Sequence, residues 1–237
     1  MRAVRRLIIV LVILFGLFVA ADRITVNVAE SQVADRFQTA RGLSEKPSVD
    51  IEGFPFLTQL AGGSLDHVTV HATNMTLQSG GEQSVVLADF RADLRHVKLE
   101  DNYSSALAGS ATGTALISYS EVSALLPNHL TISYAGGSRV HLAATVPGFS
   151  QRLSLTAGLD FQGSKINLTS VGGLSALAKA FGVSESQLTS LVSGYVGTGF
   201  QVAGLPGGLA ITGVQAVPGG VSVSVAGSGV SLTSTAD

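Results

Sequence analysis

The segment Val85–Arg95, VVLADFRADLR, sorts its side chains into two sets. Val86, Ala88, Phe90, Ala92 and Leu94 fall on one parity, and Asp89, Arg91, Asp93 and Arg95 on the other. A two-residue period is that of an extended strand, and apolar against charged means one covered face and one wet face. After Arg95 the apolar residues move to Val97 and Leu99, which predicts a bulge or a change in which face is covered. The same rhythm recurs outward from this segment. Val68, Val70 and Ala72 alternate with His67, Thr69, His71 and Thr73, and Val140, Leu142, Ala144 and Val146 with Arg139, His141 and Thr145. Leu153, Leu155, Ala157, Leu159 and Phe161 repeat it. So do Val221, Val223 and Val225, after which the pattern flips at Gly227 and Gly229 to Val230 and Leu232. Strands of this kind, joined by Gly, Ser and Pro turns, predict an antiparallel sheet.

Helical signals are local. After Asp22, the residues Ile24, Val28, Val33, Phe37 and Ala40 recur at spacings near three and four, predicting an amphipathic helix ended by Gly42 and Pro47. SEVSALLP (Ser120–Pro127) reads as two helical turns stopped by proline. SESQLTSLVSGYV opens with Ser184 and Gln187 at capping-box spacing, followed by Leu188, Leu191, Val192 and Tyr195 on one stripe. The expected fold is therefore α+β: a strongly curved antiparallel sheet covered by the N-terminal helix and a few shorter ones. Its 28 glycines permit the kinks that curvature needs. No linker, charge block or fixed-period repeat appears, so 22–237 reads as a single domain.

The ends and the charge fix the setting. Arg2, Arg5 and Arg6 precede Leu7–Ala21, an uninterrupted apolar run of 15 residues, against the roughly 20 that a bilayer span requires. The run has the size of a secretory h-region, with Val19-Ala20-Ala21 as a small-residue cleavage site before Asp22. The alternative is an uncleaved anchor in which Arg23 snorkels and the helix continues through Ile24 and Val26. Either way, everything from Asp22 onward is expected to be exported. Of 14 Lys and Arg, three lie in the leader, leaving 11 against 16 Asp and Glu, or −5. Such a balance argues against nucleic acid as a partner and offers no polybasic patch for anionic headgroups. Without cysteine, disulfides, thiolate metal sites and thiol nucleophiles are excluded.

The segment IEGFPFLTQLAGG (Ile51–Gly63) interrupts the strands. Pro55 fixes its own φ and moves Phe54 out of the helical region, so the chain turns sharply. Phe56, Leu57 and Leu60 then share one side of a short helical turn, released by Gly62-Gly63. The preferred reading is a plug that seals one end of the sheet; the other is a hydrophobic lip at a membrane or a lipid groove.

Chemical constellations are few. His67 and His71 on one strand stand about 13 Å apart, too far for one metal ion, and read as two wet-face histidines. Asp89, Arg91, Asp93 and Arg95 read as a solvated charge ladder. No G-x-S-x-G elbow appears, and GYVGTGF (Gly194–Phe200) follows a helix and lacks a P-loop lysine. The triplets at Asn74, Asn102 and Asn167 match the glycosylation pattern by chance. No catalytic residue, metal or cofactor is therefore expected. Outer-membrane strands would need aromatic girdles, and aromatics are only 6 % of the chain. Small and branched inward residues (Ala, Val, Gly, Leu) fit either an acyl-chain groove along a curved interior or simply thin packing.

ADRITVNVAESQVADRFQ, PSVDIEGFPFLTQLAGG and LDHVTVHATNM, with Gly113-Thr114-Ala115 and the late LPGGLAITGVQAVPGGVSVSVAGSGVSL, resemble the LmeA-like family of exported phospholipid-binding envelope proteins. The resemblance covers nearly all of the chain after the leader, and its specific part is the G-F-P-F-L-T-Q string. It implies a tubular lipid-binding (TULIP-like) α+β architecture and non-enzymatic binding of phospholipids, inositol phospholipids among them. It also implies a membrane-facing setting and support of an envelope mannosyltransferase in lipoglycan growth. On that basis the acyl chains are expected against Val86, Phe90, Leu142, Leu155 and Val223, with Phe54, Phe56, Leu57 and Leu60 guarding the opening. The competing reading is a scaffold with a filled core that supports a glycosyltransferase by contact alone.

Overall fold

A computed structural model describes residues 2–79, 83–101, 105–126, 130–145, 152–182, 184–187, 200–202 and 205–232. The chain runs α1 (Arg2–Arg41), β1 (Ser48–Glu52), α2 (Phe56–Ala61), β2 (Ser64–Ser79), β3 (Gln83–Glu100), β4 (Ser105–Ile117) and α3 (Tyr119–Leu125). It continues through β5 (Thr131–Gly136), β6 (Arg139–Thr145), β7 (Arg152–Gln162), β8 (Lys165–Gly172), α4 (Leu174–Phe181), β9 (Phe200–Gln201), β10 (Leu209–Val217) and β11 (Gly220–Ser231). This is an α+β fold with antiparallel strands and a long N-terminal helix, as the alternation predicts. The strands divide between a six-stranded sheet, β1-β2-β3-β4-β11-β10, and a five-stranded sheet, β5-β6-β7-β8-β9. Helix α1 packs along the β1 edge of the larger sheet, and β10, at its other edge, meets the smaller one.

The parity change after Arg95 is real, and it belongs to the whole sheet. Leu65 and Val68 of β2, Leu94 and Val97 of β3, and Ala108 and Ala111 of β4 all pack in the same apolar cluster, three residues apart in each strand. Strand β11 joins them, with Val230 fully buried after Val225. His96, at φ 51°, and Gly229, at φ 60°, take the left-handed turn that lets a strand reverse its faces and go on. A second switch, unmarked in the sequence, lies at Asn74 (φ 51°) and Ala88. There the β3–β4 pairing slips by one residue between Leu87 and Asp89. Val85 and Leu87 are consequently the buried residues, and Val86 falls on the opposite parity. That corrects the expectation for Val86: its alternation with Phe90 is broken by one inserted residue.

Helix α1 also departs from its expected face. Val26 and Ala34 are buried, with Ala29 and Phe37 packed partly behind them, while Ile24, Val28 and Val33 are exposed. The helix runs unbroken from the apolar segment to Arg41, so its face follows Asp22 and Val26. Helix α3 forms where expected but runs Tyr119–Leu125, with Pro127 outside the described residues, and is capped by Ser118, whose Oγ accepts from the Glu121 N–H at 3.3 Å. Helix α4, between Gly173 and Gly182 in left-handed conformations, was not expected. Ser184 and Gln187 make the reciprocal capping contacts: the Gln187 N–H donates to Ser184 Oγ (3.3 Å) and the Ser184 N–H to Gln187 Oε1 (3.1 Å). Leu188, Leu191, Val192, Tyr195, the triplet at Asn102, Val146, and 194–199 of the glycine-rich turn lie outside the described residues.

Candidate functional site

Strand register lays the apolar face of the larger sheet out in rows. Val49, Val70, Ala92, Gly113, Val225 and Ile211 stand side by side across its six strands. On one side of this row, Ile51, Val68, Leu94 and Ala111 belong to the cluster that packs against α1 and α2. On the other, Ala72, Phe90, Ala115 and Val223 belong to a second cluster, shared with Leu159, Phe161 and Ile166 of the smaller sheet. Between the two clusters Ala92 and Gly113 are only half-buried. The side chains of the row shrink to a methyl and a hydrogen at its centre, a shallow apolar trough whose Val70, Ala92, Gly113 and Val225 line a cleft of about 570 Å³. A Cβ added at Gly113 would stand 3.1 Å from Val225 Cγ2, so any side chain there would crowd it.

The residues expected to touch lipid separate into three groups. Phe90 and Val223 flank the trough in one row, joined through Ala115. Leu142 and Leu155 are register partners in the smaller sheet, within a third cluster around the fully buried Val140 and Ala157. Phe56 and Leu60 pack with the first cluster, and Leu57 is half-buried beside them. Phe54 is 54 % exposed. Val86 joins none of these groups, and its backbone N–H donates to Glu121 Oε2 (3.2 Å). Ala92, Gly113 and Val225, which line the trough, were not singled out from sequence. A glycine inside an alternating strand is the signal that marks them.

The Ile51–Gly63 segment is fixed from an unexpected direction. The Phe54–Pro55 bond is cis, and Phe56, only 2 % exposed, lies among Val26, Ile51, Leu65 and Val97. Burying a phenylalanine side chain contributes about 1.5–3 kcal/mol, so Phe56 holds the start of α2 against the sheet. Asp22, fully buried, reaches from α1 to the start of α2, where its Oδ1 accepts the Leu57 N–H at 2.8 Å. Its other oxygen accepts from Arg23 at 3.0 Å, and the Arg23 guanidinium lies over the Phe54 ring, 5.3 Å from its centroid. Glu30 likewise turns inward and accepts the Ile51 N–H at 2.8 Å.

The alternate residues of the same strands are polar, and they complete the lining of the cleft that Val70, Ala92, Gly113 and Val225 share. Thr69, His71, Arg91, Asp93, Thr112 and Thr114 contribute to its lining, all on the outward parity. The expected charge ladder is present and extends to the neighbouring strands. Arg91 pairs with Asp89 and Arg95 with Asp93, each at 3.2 Å. His71 contacts Asp89 at 2.7 Å, while His67 sits between Asp93 and Glu52, the latter at 2.8 Å. The Asp93 hydrogen bond raises the His67 pKa, against the opposing effect of burial and with help from Glu52. His67 in return lowers the Asp93 pKa. For Asp89 burial pushes upward, but the contacts with His71 and Arg91 prevail and its pKa is lowered. The two histidines therefore serve separate carboxylates, and among the described residues no three His, Asp or Glu side chains converge as a metal site would require.

Comparison with curated proteins and with solved structures finds no match. Residues 20–226 match the family model described as LmeA-like phospholipid-binding, and the chain belongs to that family.

Proposed function

We propose that this protein is an exported envelope protein whose residues 22–237 form one TULIP-like domain. It holds membrane phospholipid by its acyl chains and does so without catalysing a reaction. The observation that carries this reading is the cleft of about 570 Å³ in the larger sheet, lined in part by Val70, Ala92, Gly113 and Val225, with Ala92 and Gly113 half-buried. Hydrocarbon laid along those residues would gain about 0.8 kcal/mol per buried CH₂. That gain needs no headgroup charge pocket, which suits an acidic domain. Phe90 and Val223 would flank the chains, Leu142 and Leu155 would extend the surface into the smaller sheet, and the Phe54–Leu60 segment would stand at the opening. Inositol phospholipids are the proposed cargo, and the proposed role is support of an envelope mannosyltransferase during lipoglycan elongation.

Native mass spectrometry of the full chain, purified in a mild detergent, tests the binding. Phospholipid is expected to remain bound as a discrete mass increment, identified as inositol lipid after extraction. A protein that stays at its apo mass when phosphatidylinositol is added would support the competing reading, a contact scaffold with a closed core.

A further inference from the structure

We propose that α1 is a retained anchor and that its surface carrying Ile24 and Val28 is seated in the lipid bilayer, with the headgroup boundary near Val28. Helix length is the first argument. Leu7–Ala21 is 15 residues, about 22 Å of helix, against a hydrocarbon core about 30 Å thick. Leu7–Val28 is 22 residues, about 33 Å, which spans it. The helix does not break at Ala21, and its apolar surface does not stop there. Leu17, Ala21, Ile24 and Val28 form one stripe at spacings of four, three and four. Ile24 and Val28 are 65 % and 50 % exposed, as bare as Leu17 at 63 %.

Charge disposition is the second argument, because a bilayer boundary at Val28 must accommodate the charged residues before it. Asp22 is turned into the domain and satisfied by the Leu57 N–H and Arg23. Arg23 is neutralised by Asp22 and covered on one side by the Phe54 ring, and its long side chain snorkels from below the boundary toward the headgroups. The Thr25 hydroxyl is satisfied by the Ala21 carbonyl at 2.8 Å. Asn27 is the polar side chain that meets the headgroups, and Glu30 bonds inward to Ile51. The first exposed acidic side chain along the helix is Asp35, paired with Lys46 at 2.7 Å and well beyond the boundary. Lipid, continuous with the lipid around Leu7–Ala21, is the occupant that this strip fits.

The chain has no tryptophan, so single Val28→Trp and Arg36→Trp variants of the full-length protein report their own depth. In phosphatidylcholine–phosphatidylglycerol vesicles with brominated acyl chains, Val28→Trp is expected to lose most of its fluorescence and Arg36→Trp to keep it. Ile24→Trp gives the same report should Val28→Trp misfold. Intact mass of the protein taken from cell membranes is expected to include the residues before Asp22. A mature chain starting at Asp22 overturns the proposal, and so does quenching no greater at position 28 than at 36. Val28 faces away from the sheet, so its signal is independent of lipid held in the trough.

Discussion

Two phenylalanines separated by one proline have opposite fates. Phe56 fills the space between α1 and the larger sheet, whereas Phe54 stays outside with Arg23 across its ring. Phe56→Ala is expected to lower unfolding stability in urea by about 3–5 kcal/mol, the cost of emptying a packed aromatic site. Phe54→Ala should stay within about 0.5 kcal/mol of the parent, as exposed positions do. The sequence announces the turn through Pro55 and the release through Gly62-Gly63. It does not say which ring packs, because that is decided by Val26, Ile51, Leu65 and Val97, which come together only in the fold. Asp22 was hidden for the same reason: its partner, the Leu57 N–H, is distant in the chain and belongs to the backbone.

At the scale of the element, β1 is an edge strand tied to β2 and β3 by His67, whose two ring nitrogens face Glu52 and Asp93. The folded-state pKa of His67 is raised, so its contribution is complete below its ordinary value of 6.5 and is lost as pH climbs through the raised one. The Asp93 pKa is lowered, so the same contact seen from its side is complete above 3.8 and is lost as pH falls through the lowered value. The tie is therefore strongest between those two ordinary values. Thermal denaturation of the parent and of His67→Gln should show a gap in Tm in mildly acid buffer that narrows in alkaline buffer; a gap independent of pH would exclude the tie. Strands were the most legible elements, because alternation records burial directly. One of the two face reversals was legible, at Val97, where charged residues mark both sides. The other was not, since Val85, Val86, Leu87 and Ala88 are all apolar and any parity can be read through them.

Over the whole molecule, neither the sharing of strands between two sheets nor the position of the trough can be read from alternation. Strand β4 pairs with β11, which comes from the other end of the chain, and only that pairing sets Gly113 beside Val225. If the trough holds acyl chains, Ala92→Leu should weaken phosphatidylinositol binding by about tenfold, the equivalent of about 1.4 kcal/mol. Titration followed by native mass spectrometry measures it, and unchanged affinity would place the lipid elsewhere. The paired reversals at Asn74 with Ala88, and at His96 with Gly229, carry a last implication. Each one inverts everything downstream of it, so removing a single amino acid from the middle of β2, β3, β4 or β11 would turn half of that strand inside out against neighbours that had not moved. A substitution in these strands disturbs one site, whereas shortening or lengthening them disturbs every site beyond it; variation in length has only the hairpin tips to occupy.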